Sequence, residues 1–184
     1  QLKTRGMSAV SEPVLKAYGT IREQDAILAW DGEPELVRDE AGRPVTVWDG
    51  RTMKTDPVTG GEVPDETARI PVYRYRNPRR ADWPEAEFIV GNPQFIGGKD
   101  MRAELGDGYA EDAWAARPEM PGGADFVMHF WDEAARRLTA KPPQGTVNRL
   151  RRFGFITTNS ITQTFSRRVI ERWQAAKAPL SLVF

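Results

Sequence analysis

The sequence predicts an α/β fold, part of a doubly wound, Rossmann-like sheet with an irregular insertion, and three observations predict it. The run "AEFIVG" (86–91) is short and apolar and ends in Gly-Asn-Pro, the pattern of a strand buried on both faces of a parallel sheet. Two later stretches, 124–138 and 164–176, carry apolar residues at helical spacing. "RRFGFITTNS" (151–160) and "PLSLVF" (179–184) are strand-like, so the order is strand, helix, strand, helix, strand.

Each element follows from local pattern. Residues 11–30 offer Ser11 as a cap and Pro13 in a first turn, then place Ile21, Ala26, Ile27 and Trp30 at helical spacing; 1–30 reads as a helical lead-in divided at Gly19. From Asp31 to Pro71 the turn clusters "DGEP", "DEAGRP", "WDG" and "DPVTGGEVPD" separate short extended pieces such as Val45–Trp48. Ile70, Val72, Tyr73 and Tyr75 make a strand-like run closed by Asn77-Pro78, and 31–80 reads as an insertion of loops and hairpins. Residues 81–184 are the regular half. There 99–116 is helical around Met101, Leu105, Tyr109 and Trp114, interrupted at Gly106–Gly108. The 124–138 helix puts Phe126, Val127, Phe130, Trp131, Ala134 and Leu138 on one broad side and ends at "KPPQG". Asp125 stands where a carboxylate caps free N–H groups, and Thr164 or Ser166 is placed to cap the last helix. His129, with no second histidine near it, reads as a packed or hydrogen-bonded residue rather than a catalytic one.

Composition narrows the function classes. The 184 residues carry 26 basic and 26 acidic side chains, so net charge points to neither nucleic acid nor membrane. The balance is uneven: 9 basic against 13 acidic residues up to Ile70, then 17 against 13. No cysteine and a single histidine exclude disulfides, thiolate nucleophiles and His- or Cys-rich metal sites, and no metal is expected. No apolar run approaches the ~20 residues of a membrane span, and a cytoplasmic location is the default expectation. Gln1 at the start and "SLVF" at the end read as a piece of a longer chain.

The chemistry-bearing stretch is Asn92-Pro93-Gln94-Phe95, directly beyond the strand's carboxyl end, where open α/β sheets bind ligands. The Asn92 carboxamide oxygen and the Pro93 carbonyl can both accept hydrogen bonds from one exocyclic amine. Such an amine shares its lone pair with the ring; two acceptors on its hydrogens favour a tetrahedral nitrogen with that pair exposed. Phe95 can stack on the base. The same four residues also suit an ordinary turn with Phe95 dropping back into the core, and the tetrapeptide alone leaves both readings open.

The longer stretches "ADWPEAEFIVGNPQFIGGKDMRAELGDGY", "GGADFVMHFWDEAARRL" and "RRFGFITTNSITQTFSRRVIERW" resemble the catalytic domain of DNA adenine-N6 methyltransferases, of the large single-chain restriction-modification type and related phage-defence enzymes. The resemblance covers about 66–184. It implies a partial methyltransferase sheet, with 81–184 as its catalytic half, and S-adenosylmethionine as methyl donor. The partners it implies are double-stranded DNA with the target base swung out of the duplex, the remainder of a parent chain, and a specificity region or subunit. It implies that Asn92 and Pro93 contact the adenine amine and that Phe95 stacks on the base. Gln94, Gly97, Gly98, Lys99, Asn159, Ser160 and Gln163 are the implied substrate-binding residues. Two departures stand out: the family's second proline is Gln94 here, and its glycine-rich donor-binding motif on an earlier strand is absent, so no donor-binding residues are assigned. "FIGG" (95–98) follows the wrong strand to replace it. A protein glutamine or RNA N-methyltransferase, and a non-catalytic DNA-binding or structural remnant, are the alternatives.

Polar residues at strand ends carry weaker expectations. Thr157–Ser160 could line a base pocket or satisfy loop amides, and Lys99 could meet phosphate or water. Arg74, Arg76, Arg79, Arg80, Arg149, Arg151, Arg152, Arg167 and Arg168 could meet phosphate or simply keep strand and helix ends wet.

Overall fold

The computed structural model describes residues 21–142, 144, 148–176 and 180–181. Most of the expected final strand, 179–184, and residues 1–20 of the expected helical lead-in lie outside the described residues.

From Leu28 to Arg80 the chain runs out and returns along itself. The outgoing strands are β1 (Leu28–Ala29), β2 (Glu35–Leu36), β3 (Thr46–Trp48) and β4 (Met53–Thr55). The returning ones are β5 (Glu62–Pro64), β6 (Arg69–Pro71), β7 (Tyr73–Arg74) and β8 (Arg79–Arg80). They pair as nested antiparallel rungs: β4 with β5, β3 with β6, β2 with β7, β1 with β8. Aspartates set the bends. Asp39 Oδ1 accepts from the Ala41 and Arg43 amides at 2.9 Å, Asp49 Oδ1 from Arg51 and Thr52 at 2.9 Å, and Asp56 Oδ1 from Val58 and Thr59 at 2.8 Å. These bonds hold the three carboxyls below the usual range, led by the Arg43 amide for Asp39, the Thr52 hydroxyl for Asp49 and the Thr59 amide for Asp56.

Residues 21–30, expected to be helical, contain no helix. Asp25 Oδ1 accepts from the Ile27 and Leu28 amides at 2.7 Å, which turns the chain, and Leu28–Ala29 then pairs with Arg80 and Arg79. Ile27 and Leu28 are neighbours and both fully buried, which an amphipathic helix face does not require but a strand between two packed layers does.

The doubly wound sheet is also not formed. The described strands make five separate two-stranded sheets, and only β9 (Phe88–Gly91) with β10 (Arg152–Phe155) is parallel, in register from Phe88↔Arg152 to Gly91↔Phe155. The strands of 28–80 add nothing to that pair, because a strand returned by a turn finds an antiparallel partner, whereas a parallel pair needs a long crossover. Nor is β9 covered on both faces. Phe153 and Phe155 of β10 pack into the core, but Phe88 is 55% and Val90 84% exposed on the other side.

Four helices complete the described structure: α1 (Met101–Leu105), α2 (Asp107–Ala115), α3 (Val127–Thr139) and α4 (Thr164–Gln174), with a 3₁₀ turn at Asn159–Thr162 before α4. Gly106, at φ +87°, separates α1 from α2. A Cβ on Gly108 would lie 1.8 Å from the Tyr73 carbonyl oxygen, so the missing side chain is what lets α2 abut β7. The core has two clusters joined by α3. Phe126, just ahead of α3, packs with Ile27, Leu28, Met101 and Tyr109; Val127, Met128, Trp131 and Ala135 pack with Met120 and Val169. α3 is buried from Val127 to Ala135 except at Phe130, and that includes His129, Asp132 and Glu133.

Those buried carboxylates are satisfied from three directions. Asp132 accepts from Arg80 of β8 at 3.0 Å, from Trp173 Nε1 of α4 at 2.8 Å and from Arg172. Glu133 accepts from Arg136 and Arg137, and those hydrogen bonds outweigh burial to hold its carboxyl below the usual range. The arm, α3 and α4 are therefore tied at one point. Neither expected cap is made by a side chain: α3 starts from Phe126 and α4 from Gln163, without a capping side-chain bond. No helix among the described residues is long and apolar enough to cross a membrane.

Candidate functional site

The loop that leaves β9 is pinned at both ends. The Gly91 carbonyl accepts from the Ile156 amide at 3.0 Å, which extends the β9–β10 ladder to the edge of Asn92. The Ile96 carbonyl accepts from the Phe126 amide at 2.9 Å, which anchors the far end to the start of α3. Between these points Pro93 is buried, while Asn92, Gln94 and Phe95 face solvent and Phe95 is 53% exposed. The Asn92 side chain has not turned into the interior.

Beyond Ile96 the loop lies directly on the 122–126 segment. A Cβ on Gly98 would stand 2.5 Å from the Gly123 backbone and 2.7 Å from the Ala124 carbonyl. The Gly98 amide donates to Asp125 Oδ1 at 3.2 Å, and the Asp125 amide donates to the Ser166 hydroxyl of α4 at 3.3 Å. Asp125, expected as a helix cap, instead bonds the loop with its carboxylate and α4 with its amide.

These contacts frame a cleft of about 640 Å³ at the carboxyl end of the parallel pair, within the ~300–1,000 Å³ range of small-molecule sites. Of the residues singled out in the sequence, Phe95, Gly97, Gly98, Lys99, Ser160 and Gln163 line it. Asn92, Pro93, Gln94 and Asn159 do not: the first three precede the lining residue Phe95 in the chain, and Asn159 accepts from the Thr162 hydroxyl within the 3₁₀ turn at 2.8 Å through its backbone carbonyl. Gly122, Gly123, Asp125, Thr158 and Phe165 are also in the wall. Phe165 left a signal in the sequence. The buried stripe of α4 is Ser166, Val169, Ile170 and Trp173, and Phe165 is a large aromatic out of phase with it.

Most of the arginines singled out above are neutralised inside the chain. Arg76 pairs with Glu35, Arg79 with Asp31 at 2.8 Å, Arg149 with Glu85 at 3.7 Å, Arg167 with Glu171 at 3.1 Å, and Arg80 joins Glu119, Asp132 and Glu133. Lys99, Arg74, Arg151, Arg152 and Arg168 form no ion pair among the described residues; of these Lys99 lines the cleft, and Arg168 sets its guanidinium 5.5 Å from the ring centre of Phe165, a cleft residue.

A second cleft, of about 730 Å³, lies at the opposite, amino-terminal end of the strands beside Ile89 and Leu150. Of the residues singled out in the sequence only Arg149 is in it; Arg136, Arg137 and Arg149 are paired with Glu133, Asp82 and Glu85, while Lys141 forms no ion pair among the described residues. Among the described residues no group of three or more His, Cys, Asp or Glu side chains could hold a metal ion. Compared with family models, curated proteins and solved structures, the chain matches none.

Proposed function

We propose that this chain is the target-base part of a DNA adenine-N6 methyltransferase of a restriction-modification or phage-defence system. One observation carries the reading: Asn92-Pro93-Gln94-Phe95 begins where a parallel strand ends, with Asn92 solvent-facing and Phe95 on the rim of a base-sized cleft. In this reading Phe95 stacks on an extruded adenine, and Asn92 Oδ1 and the Pro93 carbonyl accept the two amine hydrogens. Two acceptors on its hydrogens favour a tetrahedral nitrogen with its lone pair exposed, which is the whole of what these residues would contribute. Lys99, in the cleft wall, supplies phosphate-facing charge.

The described residues do not fit S-adenosylmethionine. Among the described residues the glycine-rich loop beyond a parallel strand holds Gly97 and Gly98, which are consumed by contact with Asp100 and Gly123 and leave no cradle for a donor. Donor binding is therefore assigned to the remainder of a parent chain. Incubating the protein, in its whole natural chain, with unmethylated duplex DNA and labelled S-adenosylmethionine should give N6-methyladenine in the digested nucleosides, and Asn92→Ala should abolish it. Label in RNA or in protein glutamine instead of DNA overturns the substrate assignment. No label anywhere supports the one competing reading with an observation behind it, a non-catalytic DNA-binding remnant: Asn92 and Pro93 lie outside the cleft, and Gln94 stands where the resembled enzymes carry proline.

A further inference from the structure

The second cleft, at the amino-terminal end of the strands, has no part in the base-binding reading. It is a gap between two layers: Ile89 of β9 and Leu150, just ahead of β10, line it from the sheet side, and Ala140, past the end of α3, lines it from the helix side. Neither Ile89 nor Leu150 belongs to either core cluster of the described residues. With Pro84 and Ala86 they make an aliphatic floor, and no aromatic ring stands among the lining side chains. The rim is cationic. Arg136, Arg137, Lys141 and Arg149 face two carboxylates, Asp82 and Glu85, and buried Glu133, bonded to Arg136 and Arg137, offsets one more charge. One positive charge is left over, and exposed Lys141 is the cation without an ion pair among the described residues. The Arg149–Glu85 pair is loose, at 3.7 Å with side chains 69% and 82% exposed, so an incoming anion can replace Glu85 at small cost.

The end of α3 would ordinarily repel an anion, because its free carbonyls carry the negative pole of the helix. Asn148 screens that pole. Its Nδ2 donates to the carbonyls of Arg137 at 2.8 Å, Leu138 at 3.0 Å and Ala140 at 3.4 Å, while its Oδ1 accepts from the Leu150 amide at 3.0 Å. The same side chain thus ties the helix end to the segment that enters β10, and it leaves Lys141 free of any capping duty.

We propose that this cleft binds a small amphiphilic monoanion, a carboxylate with an aliphatic body. The body lies on Ile89 and Leu150, and the carboxylate meets Lys141 and Arg149 at the rim. Aliphatic walls give a planar ring nothing to stack on, and a single surplus positive charge matches one negative charge rather than the several of a polyphosphate. The site lies at the other end of the two strands from Asn92–Phe95 and stands whether or not that loop binds a base.

Titration of the protein with sodium octanoate, followed through the methyl NMR resonances of Ile89 and Leu150, tests this. Both should shift saturably. Octanamide, the same chain without the charge, should bind about fivefold more weakly, and Lys141→Glu should weaken octanoate by about as much, the worth of one rim ion pair, while leaving octanamide unchanged. Arg149→Gln should act in the same direction as Lys141→Glu. Equal affinity for octanoate and octanamide would show a cleft that is apolar only and overturns the proposal. Octanoate affinity unaltered by both substitutions overturns it, as do shifts that never saturate or that fall on Val90 of the exposed sheet face instead of Ile89 and Leu150. Resonances that move with protein concentration and not with octanoate mark the cleft as an interface between copies of the chain and overturn it too.

Discussion

His129 makes the stability of this protein depend on pH in a calculable way. Its ring is fully buried, and neither Nδ1 nor Nε2 has a hydrogen-bond partner. Burial, reinforced by the nearby Arg117 and Arg80 guanidiniums, pushes its pKa down from 6.5 to about 3. Above pH 6.5 neither the folded nor the unfolded ring is protonated, and the residue is neutral to stability. As pH falls from 6.5 towards 3, the unfolded chain takes up the proton and the folded one does not, so stability is lost. The slope approaches ~1.4 kcal/mol per pH unit, and between pH 7 and pH 5 the loss sums to about 2 kcal/mol. His129→Leu removes the titration and both unpartnered nitrogens. It should raise stability at pH 7 by roughly 1–3 kcal/mol, the cost of a buried unsatisfied polar group, and widen its lead by about 2 kcal/mol at pH 5. Urea midpoints of the two proteins at pH 7, 6 and 5 measure this directly, because acid titration of carboxylates is common to both and cancels. Midpoints that stay a constant distance apart across that range would refute the argument, by showing that the ring is hydrated or protonated in the folded state.

Other perturbations test the contacts around the site. Asp132→Ala strips the shared acceptor from Arg80, Arg172 and Trp173 and should cost ~3–5 kcal/mol, read as a lowered urea midpoint; a change below about 1 kcal/mol would mean the network is solvated. Gly98→Ala drives a methyl into the Gly123 backbone at 2.5 Å and should destabilise by ~1–3 kcal/mol while weakening binding of the fluorescent adenine analogue 2-aminopurine deoxyriboside, and retention of both properties would show that the loop and the 122–126 segment separate freely. Gln94→Pro restricts the loop between its two anchors and should raise methylation by about two- to fivefold, the worth of one proline's lost freedom; equal rates would show that the anchors alone already fix Asn92 and Pro93.

The sequence made α3 and α4 legible because each repeats apolar residues through several turns, and that periodicity survives any tertiary arrangement. The arm was legible only as turns. Its rungs are two or three residues long, and partners such as Leu28 and Arg80 stand far apart in the chain, so no local pattern records the register. The lead-in misled because Ile21, Ala26, Ile27 and Trp30 fit a helix by spacing, while one side chain, Asp25, turned the backbone by capturing two amides. At the site, the strand-end position of Asn92–Phe95 could be read from the run before it. Asp125 bonding a loop amide and Phe165 standing opposite a glycine could not, because both depend on which distant backbone passes close by.

The polar residues buried on α3 explain how the cleft keeps its shape. A helix that is apolar on every side can slide or rotate against its neighbours at small cost, since one hydrophobic contact replaces another. Asp132 removes that freedom: it accepts from β8 through Arg80 and from α4 through Trp173, and a rotation of α3 that broke either bond would leave a buried charge without its partners. Two turns earlier, Asp125 bonds Gly98 of the β9 loop and Ser166 of α4. The residues that line the cleft thus come from four stretches of chain, the β9 loop, the entry to α3, the turn after β10 and the start of α4, and one buried helix ties the β9 loop to α4. On this argument Asp132→Ala, although outside the cleft wall, should weaken 2-aminopurine binding as well as stability, whereas Arg43→Ala, which removes only the exposed side-chain ion pair with Asp39 on the arm, should alter neither by a measurable amount.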